Sequence, residues 1–548
     1  MKSPIFLLMA VVSLALAACG GGSTTAPSPP PPPATYTISV TVINLAGTGG
    51  GLELNDVGGD FVDLMLVNAN GTFTFLTALA SGSAYDVTVA VQPSAPAQTC
   101  EVTHGTGIVT ADVTNVMVDC GHNEWAWVGG SKVAGQIGTY GTQGTAAAGN
   151  VPGARSDAVT WTDGSGSFWL FGGYGYDSVG TQGFLNDLWK CSGGEWTWMG
   201  GSNVVNQKGT YGTQGMAAAG NIPGARSDAV TWTDASGSLW LFGGAGYDST
   251  GTLGELNDLW EYNSGQWTWM GGSSIGSQSG EYGTRGVAAP GNVPGGRQNT
   301  VTWTGAAGNV WLFGGYGYDS AGTHFYLNDL WEYSAGQWTW IGGSNLVNQE
   351  GVYGTQGTPA QGNFPGARND SNSWTDAAGN FWLFGGDGVD SRPDEGELND
   401  LWKYDVGQWT WIGGSNVVGQ QGTYGTQGMA ANGNIPGARE GAVALTDAAG
   451  SYWLFGGVGY DSAGKPGLLN DLWKYSAGQW AWMGGSSVGS QSGEYGTRGV
   501  AAPGNVPGGR QNTVTWTDAA GNVWLFGGWG YDSTGTLGDL NDLWKYEP

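Results

Sequence analysis

Between Tyr36 and Cys120 apolar and polar residues alternate, as in Thr37-Ile38-Ser39-Val40-Thr41-Val42 and Tyr85-Asp86-Val87-Thr88-Val89-Ala90-Val91, and the alternation breaks at Gly, Asn and Asp. A period of two puts every second side chain on one face, so each run predicts a strand with a buried side and a wet side. About six or seven such strands make a small all-β sandwich over residues 35–121. Cys100 and Cys120 bracket two of the runs, and in an exported chain they are expected to pair as a disulfide.

From Trp125 the pattern repeats at one fixed interval of 71 residues. Paired tryptophans stand at Trp125/Trp127, Trp196/Trp198, Trp267/Trp269, Trp338/Trp340, Trp409/Trp411 and Trp480/Trp482. Arg155, Arg226, Arg297, Arg368, Arg439 and Arg510 keep the same interval, as do the Asn-Asp-Leu-Trp segments beginning at Asn186, Asn257, Asn328, Asn399, Asn470 and Asn541. Each interval holds four short apolar runs, in the first case Arg155–Thr162, Phe168–Gly173, Asp187–Cys191 and Glu195–Met199. Four strands per repeat predict the blades of a propeller. A fourth-strand motif opens the region at Glu124–Val128 and a third strand closes it at Leu540–Tyr546, so the ends are expected to share the last blade and fix the count at six. Ser274–Trp303 nearly duplicates Ser487–Trp516, which points to a doubled three-unit block.

The order of strands, with the double glycine Gly172-Gly173 ending the second, Leu188-Trp189 in the third and Trp196 in the fourth, resembles the kelch repeat. The resemblance implies a six-bladed kelch-type β-propeller over residues 122–548, closed by its N-terminal strand. The units depart from it in length, because kelch units run to about 50 residues.

The first 18 residues, with Lys2 and an apolar run from Ile5 to Leu16, have the form of a signal peptide. Leu16-Ala17-Ala18-Cys19-Gly20 resembles the lipobox of bacterial lipoproteins, which implies cleavage before Cys19 and lipidation of its thiol. Gly20–Thr25 and the proline run to Pro33 then read as a tether over residues 19–34, flexible first and stiff afterwards. The expected location is the bacterial cell envelope. Gly20 behind the cysteine favours the outer membrane by resemblance to Gram-negative sorting rules, and the lipid on Cys19 is the expected membrane contact.

Composition narrows the function. The chain has 548 residues, 17 Lys+Arg against 44 Asp+Glu, a net charge of −27, and 30 Trp with 105 Gly. A nucleic-acid partner is excluded, since phosphate binding draws on clustered Lys and Arg. Three His leave little for a histidine-rich metal centre. Galactose oxidase shares the propeller architecture, but that family needs two His and a Cys-linked Tyr, and this repeat region carries His324 alone. No metal and no cofactor are assigned; calcium at the acidic loops stays open.

Six-fold copying works against enzyme chemistry, which needs unlike groups converging once. The candidates are therefore the places where one copy departs. The residue after the double glycine varies as Tyr174, Ala245, Tyr316, Asp387, Val458 and Trp529. The third unit carries His324-Phe325-Tyr326, and the fourth replaces the usual Gly-Tyr-Asp-Ser-x-Gly with Gly388-Val389-Asp390-Ser391-Arg392-Pro393-Asp394-Glu395. Tyr174, Tyr316, His324, Phe325, Tyr326, Asp387, Arg392, Asp394, Glu395 and Trp529 form the candidate ligand set, on the face that carries the long connections. The blander account of these departures is drift at exposed loop tips. The six arginines have two readings: a ring at the channel mouth that captures carboxylate or sulfate, or pairs with the Asp of their own Asn-Asp-Leu-Trp segments. Cys191, a Tyr in the other five units, reads as a lone thiol. The function expected is a lipid-anchored binding or adhesion protein for a glycan or protein ligand. The alternatives are a structural surface protein and, behind it, a carbohydrate-active enzyme.

Overall fold

The computed structural model describes residues 33–43, 45, 51–58, 61–94, 98–120, 123–305, 308–447, 450–518 and 520–547. The leader, Cys19 and most of the tether lie outside them. The described residues form an all-β protein with no helix.

Thr35–Cys120 holds ten strands, more than the alternation predicts, because several are only two to four residues long. One four-stranded sheet runs Gly71–Thr74, Ile38–Ile43, Val113–Cys120, Cys100–Thr103; the other runs Phe61–Val67, Leu52–Gly58, Ala84–Val91, Thr106–Ile108. The inward residues of both, among them Val40, Val42, Leu54, Val87 and Val118, share one core. Cys100 and Cys120 are register partners on adjacent strands and are disulfide-bonded.

The rest of the chain repeats a four-stranded antiparallel sheet, the arrangement of a β-propeller. In the first unit the order is Val159–Thr162, Phe168–Phe171, Leu188–Ser192, Glu195–Gly200, and five further sheets follow it. In the last, the outer position is filled by Glu124–Gly129, where Trp125 pairs with Tyr546 and Trp127 with Trp544. The innermost strands lie side by side from unit to unit, and Val514–Thr517 of the sixth lies beside Val159–Thr162 of the first.

Aromatic side chains fill the space between units. Trp303 stacks on Phe381 at 3.5 Å, Trp374 on Tyr452 at 3.6 Å, and Trp516 of the sixth unit on Phe168 of the first at 3.6 Å. Each sheet is covered on both faces, which is why Phe168–Phe171 is apolar throughout rather than alternating. The double glycine has a local cause. Gly172 and Gly173 sit at φ 66° and 96°, and a Cβ on Gly172 would meet the carbonyl oxygen of Arg226, in the next unit, at 2.6 Å. The amide of Gly173 donates to that same carbonyl, and Gly528 donates to Arg155 in the same way across the seam between last and first units.

Candidate functional site

The arginine opens each unit but does not belong to its innermost strand. Arg155–Ser156 leaves the main sheet and pairs instead with Tyr174–Tyr176, which pairs in turn with Gln182–Phe184. The segment after the double glycine is thus a β-hairpin, not the loop its Gly, Asp and Ser content suggests. In the third and fourth units its strands run unbroken into the main sheet, as Val310–Tyr318 with His324–Ser334 and Phe381–Val389 with Glu395–Asp405.

The six arginines are 0–1% exposed, so they form no capture ring at a channel mouth. Arg155 grips Asp187 with two hydrogen bonds of 2.7 and 2.8 Å, and also donates to the carbonyls of Gly153 and Gly172. Asp187 accepts further bonds from the Tyr140 hydroxyl and the Trp189 indole, both 2.7 Å. The same bidentate pair joins Arg226 to Asp258, Arg297 to Asp329, Arg368 to Asp400, Arg439 to Asp471 and Arg510 to Asp542. A buried charge is tolerable only when paired and fully hydrogen-bonded, and this one is. A Cβ on Gly175 would come within 2.6 Å of the Arg155 Cβ, so the residue over each arginine stays glycine.

Two residues past each arginine the chain turns toward the axis. Asp157, Asp228, Asn299, Asp370, Gly441 and Asn512 all have φ between 49° and 58°, the left-handed region that Asp, Asn and Gly tolerate best. Their backbones close a cycle: Asp157 donates to Asn512, Asp228 to Asp157, Asn299 to Asp228, Asp370 to Asn299, Gly441 to Asp370 and Asn512 to Gly441, at 2.8–3.3 Å. They line an axial cavity of about 180 Å³ with Ser371, Thr300 and Thr513. Burial raises the pKa of Asp157, Asp228 and Asp370, and for the latter two the neighbouring carboxylates add to it.

Beside this ring lie three columns that do vary. After the arginines come Ser156, Ser227, Gln298, Asn369, Glu440 and Gln511. Paired with these are Tyr174, Ala245, Tyr316, Asp387, Val458 and Trp529. Paired with those in turn are Phe184, Glu255, Tyr326, Glu397, Leu468 and Asp539. Five of the eighteen are acids and none is basic. Neighbouring units meet through them: the Tyr326 hydroxyl donates to Asp387, and Gln182 donates to Asp539 at 2.6 Å. Burial, reinforced by the charges of Asp387 and Glu397, pushes Glu440 up to about 7. Burial likewise pushes Asp539 up to about 6.

Of the residues singled out from sequence, Tyr174, Tyr316, Tyr326, Asp387 and Trp529 fall in these columns. Tyr174 and Trp529 are more than a third exposed. His324 lies at the margin, its Nε2 3.2 Å from Glu255 and its ring against Tyr316 and Tyr318. Phe325 packs on Tyr316 and Tyr326. Arg392 and Asp394 are not brought into the columns; they stand exposed at the tip of the fourth hairpin, while Glu395 begins the returning strand, where its charge reaches Tyr326. Sequence reasoning missed Glu440, Glu397, Glu255 and Asp539. The available signal was a Glu after Arg439 where the other units have Ser, Gln or Asn. Cys191 is buried, which pushes its thiol up to about 11. Among the described residues no group of three or more His, Cys, Asp or Glu side chains is arranged to hold a metal ion.

No family model matches the chain, and no curated protein does. Solved structures resemble it at low identity. One titled as the structure of YjhT is 14% identical with a TM-score of 0.41, over 72% of this chain and 95% of that one. A fungal alcohol oxidase of the AA5 family in complex with copper is 13% identical with a TM-score of 0.39, over 75% and 77%. A protein of unknown function from Dyadobacter fermentans is 9% identical with a TM-score of 0.40, over 77% and 98%.

Proposed function

We propose that the chain is a lipid-anchored binding protein of the bacterial cell envelope. In this reading Cys19 carries the lipid, the β-sandwich is a stalk, and a six-bladed kelch-type propeller closed by Glu124–Gly129 presents the three variable columns to a glycan or protein ligand. The observation that carries it is the contrast within each unit: the arginine, its aspartate and its glycine recur six times, while the residues next to them on the same small sheet differ from unit to unit. The columns combine exposed aromatic faces at Tyr174 and Trp529 with carboxylates at Asp387, Glu397 and Glu440, the mixture that suits a sugar's apolar face and its hydroxyls or amines.

The test is a glycan-array screen of the chain beside a variant carrying Asp387→Asn, Glu397→Gln and Glu440→Gln. Selective binding that the triple variant loses supports the reading. Selective binding that it keeps moves the site elsewhere, and no binding by either protein turns the search to protein ligands. A carbohydrate-active enzyme is a second reading, favoured by one observation, the elevated Glu440 beside Asp387. Release of reducing ends from a bound glycan, abolished by Glu440→Gln, would establish it.

A further inference from the structure

The two four-stranded sheets of the N-terminal region have four edges, and one is unlike the rest. Thr106–Ile108, Gly71–Thr74 and Cys100–Thr103 are edge strands of three or four residues. Such short edges offer little backbone to a passing strand. The fourth edge, Phe61–Val67, is seven residues long and pairs with Leu52–Gly58 over its whole length without a bulge. Its other side has no neighbouring strand among the described residues. It also carries Val62, Leu64 and Leu66 at 63%, 61% and 60% exposure, an alternating apolar strip. Asp63 is its only charged residue, and none of the lysines that usually guard an edge is present.

We propose that this edge pairs with the same strand of a second copy of the chain, antiparallel about a two-fold axis at Leu64. The register follows from three constraints. A pleated strand can join only with outward residues opposite outward residues, which admits a centre on a residue and rules out one between residues. A centre at Asp63 would set two carboxylates face to face. A centre at Leu64 engages all seven residues, sets Val62 opposite Leu66 of the second copy, and places Asp63 opposite Met65. The strand is therefore self-complementary, as a two-fold interface requires. The net charge of −27 opposes association of two copies, and this edge keeps that cost low, because each copy brings one carboxylate, Asp63, out of register with its mate.

The test is sedimentation velocity of the full chain over a wide concentration range, together with two cysteine variants. The wild-type chain is expected to sediment as a dimer, and Leu64→Lys, which sets like charges opposite each other, as a monomer with an unchanged unfolding midpoint. Leu64→Cys is expected to form a disulfide-linked dimer under mild oxidation, since its Cα would lie about 4.5–5.5 Å from its mate. Val57→Cys, on the neighbouring strand and the same face, is expected not to, because three strand spacings and an offset of four residues along the strand separate it from its mate by about 20 Å. A wild-type chain that stays monomeric at every concentration overturns the proposal, as does a dimer that survives Leu64→Lys. Protection from hydrogen exchange, in a monomer, of those amides of residues 61–67 that do not bond to Leu52–Gly58 would also overturn it, by assigning the edge to another segment of the same chain.

Discussion

Arg155 and Ser156 are neighbours in a two-residue strand, yet their counterparts around the ring behave in opposite ways. The arginine recurs in all six units, buried and gripping an aspartate of the same unit. The residue after it runs through Ser, Ser, Gln, Asn, Glu and Gln. Both sit on the same small sheet, so backbone geometry does not separate them. What separates them is the buried charge. A guanidinium sealed from water has one acceptable set of partners, and any change leaves a charge unpaired. The residue after the arginine has no such fixed pairing: it is small and buried as Ser156 and Ser227, half-buried as Gln298, Asn369, Glu440 and Gln511, and free to differ. The difference teaches where the fixed frame ends and variation begins: the line is drawn between adjacent residues, not between domains.

The sharpest way to break the comparison is to remove one partner of a buried pair. Asp187→Asn is expected to cost about 3–5 kcal/mol, because it strands the Arg155 charge along with the Tyr140 and Trp189 donors that share the carboxylate. Thermal or denaturant unfolding reads this directly. Gly175→Val comes next, at about 1–3 kcal/mol, since its side chain would enter space held by the Arg155 Cβ and the Ala154 carbonyl.

A smaller effect lies at Glu440 and depends on pH. Its folded-state pKa of about 7 stands above the unfolded value, so the folded state holds a proton that the unfolded state releases first. That contribution is fully present below about 4.5 and is lost as pH rises toward 7. Glu440→Gln is expected to flatten the fall in unfolding free energy between those limits by on the order of 1–3 kcal/mol; an unchanged slope would show that Glu440 is not held protonated. The smallest effect on stability is expected from Trp529→Ala and Tyr174→Ala, within about 0.5 kcal/mol of wild type, with ligand binding weakened where the frame variants at low temperature leave it intact.

The 71-residue interval, the four apolar runs of each unit and the pairing of first and last segments are legible in the sequence because burial on both faces writes long aromatic runs at fixed spacing. The Arg–Asp pairs are legible as one of two readings; only their burial decides between a network and a capture ring. The departure of Arg155–Ser156 from the inner strand is not legible. Its cause is a left-handed turn at Asp157, and an Asp in that place suits an ordinary turn or an exposed strand end equally well. The hairpin after Gly173 hides for a related reason. Its Gly-Tyr-Asp-Ser composition is that of a loop, and its two strands are only three residues each in the first unit. Glu440 and Asp539 escape notice because repetition draws the eye to the invariant neighbours; the column after the double glycine is legible, and only the sheet pairing sets Glu440 beside Val458 and Asp539 beside Trp529.

The most direct test of the division between frame and mouth measures unfolding and ligand binding together on two variants, Asp187→Asn and the triple Asp387→Asn, Glu397→Gln, Glu440→Gln. Opposite losses are expected: lower stability with binding retained in the folded fraction for the first, and retained stability with binding lost for the second. A triple variant that binds the selected ligand as tightly as wild type, or that unfolds as readily as Asp187→Asn, would contradict that division.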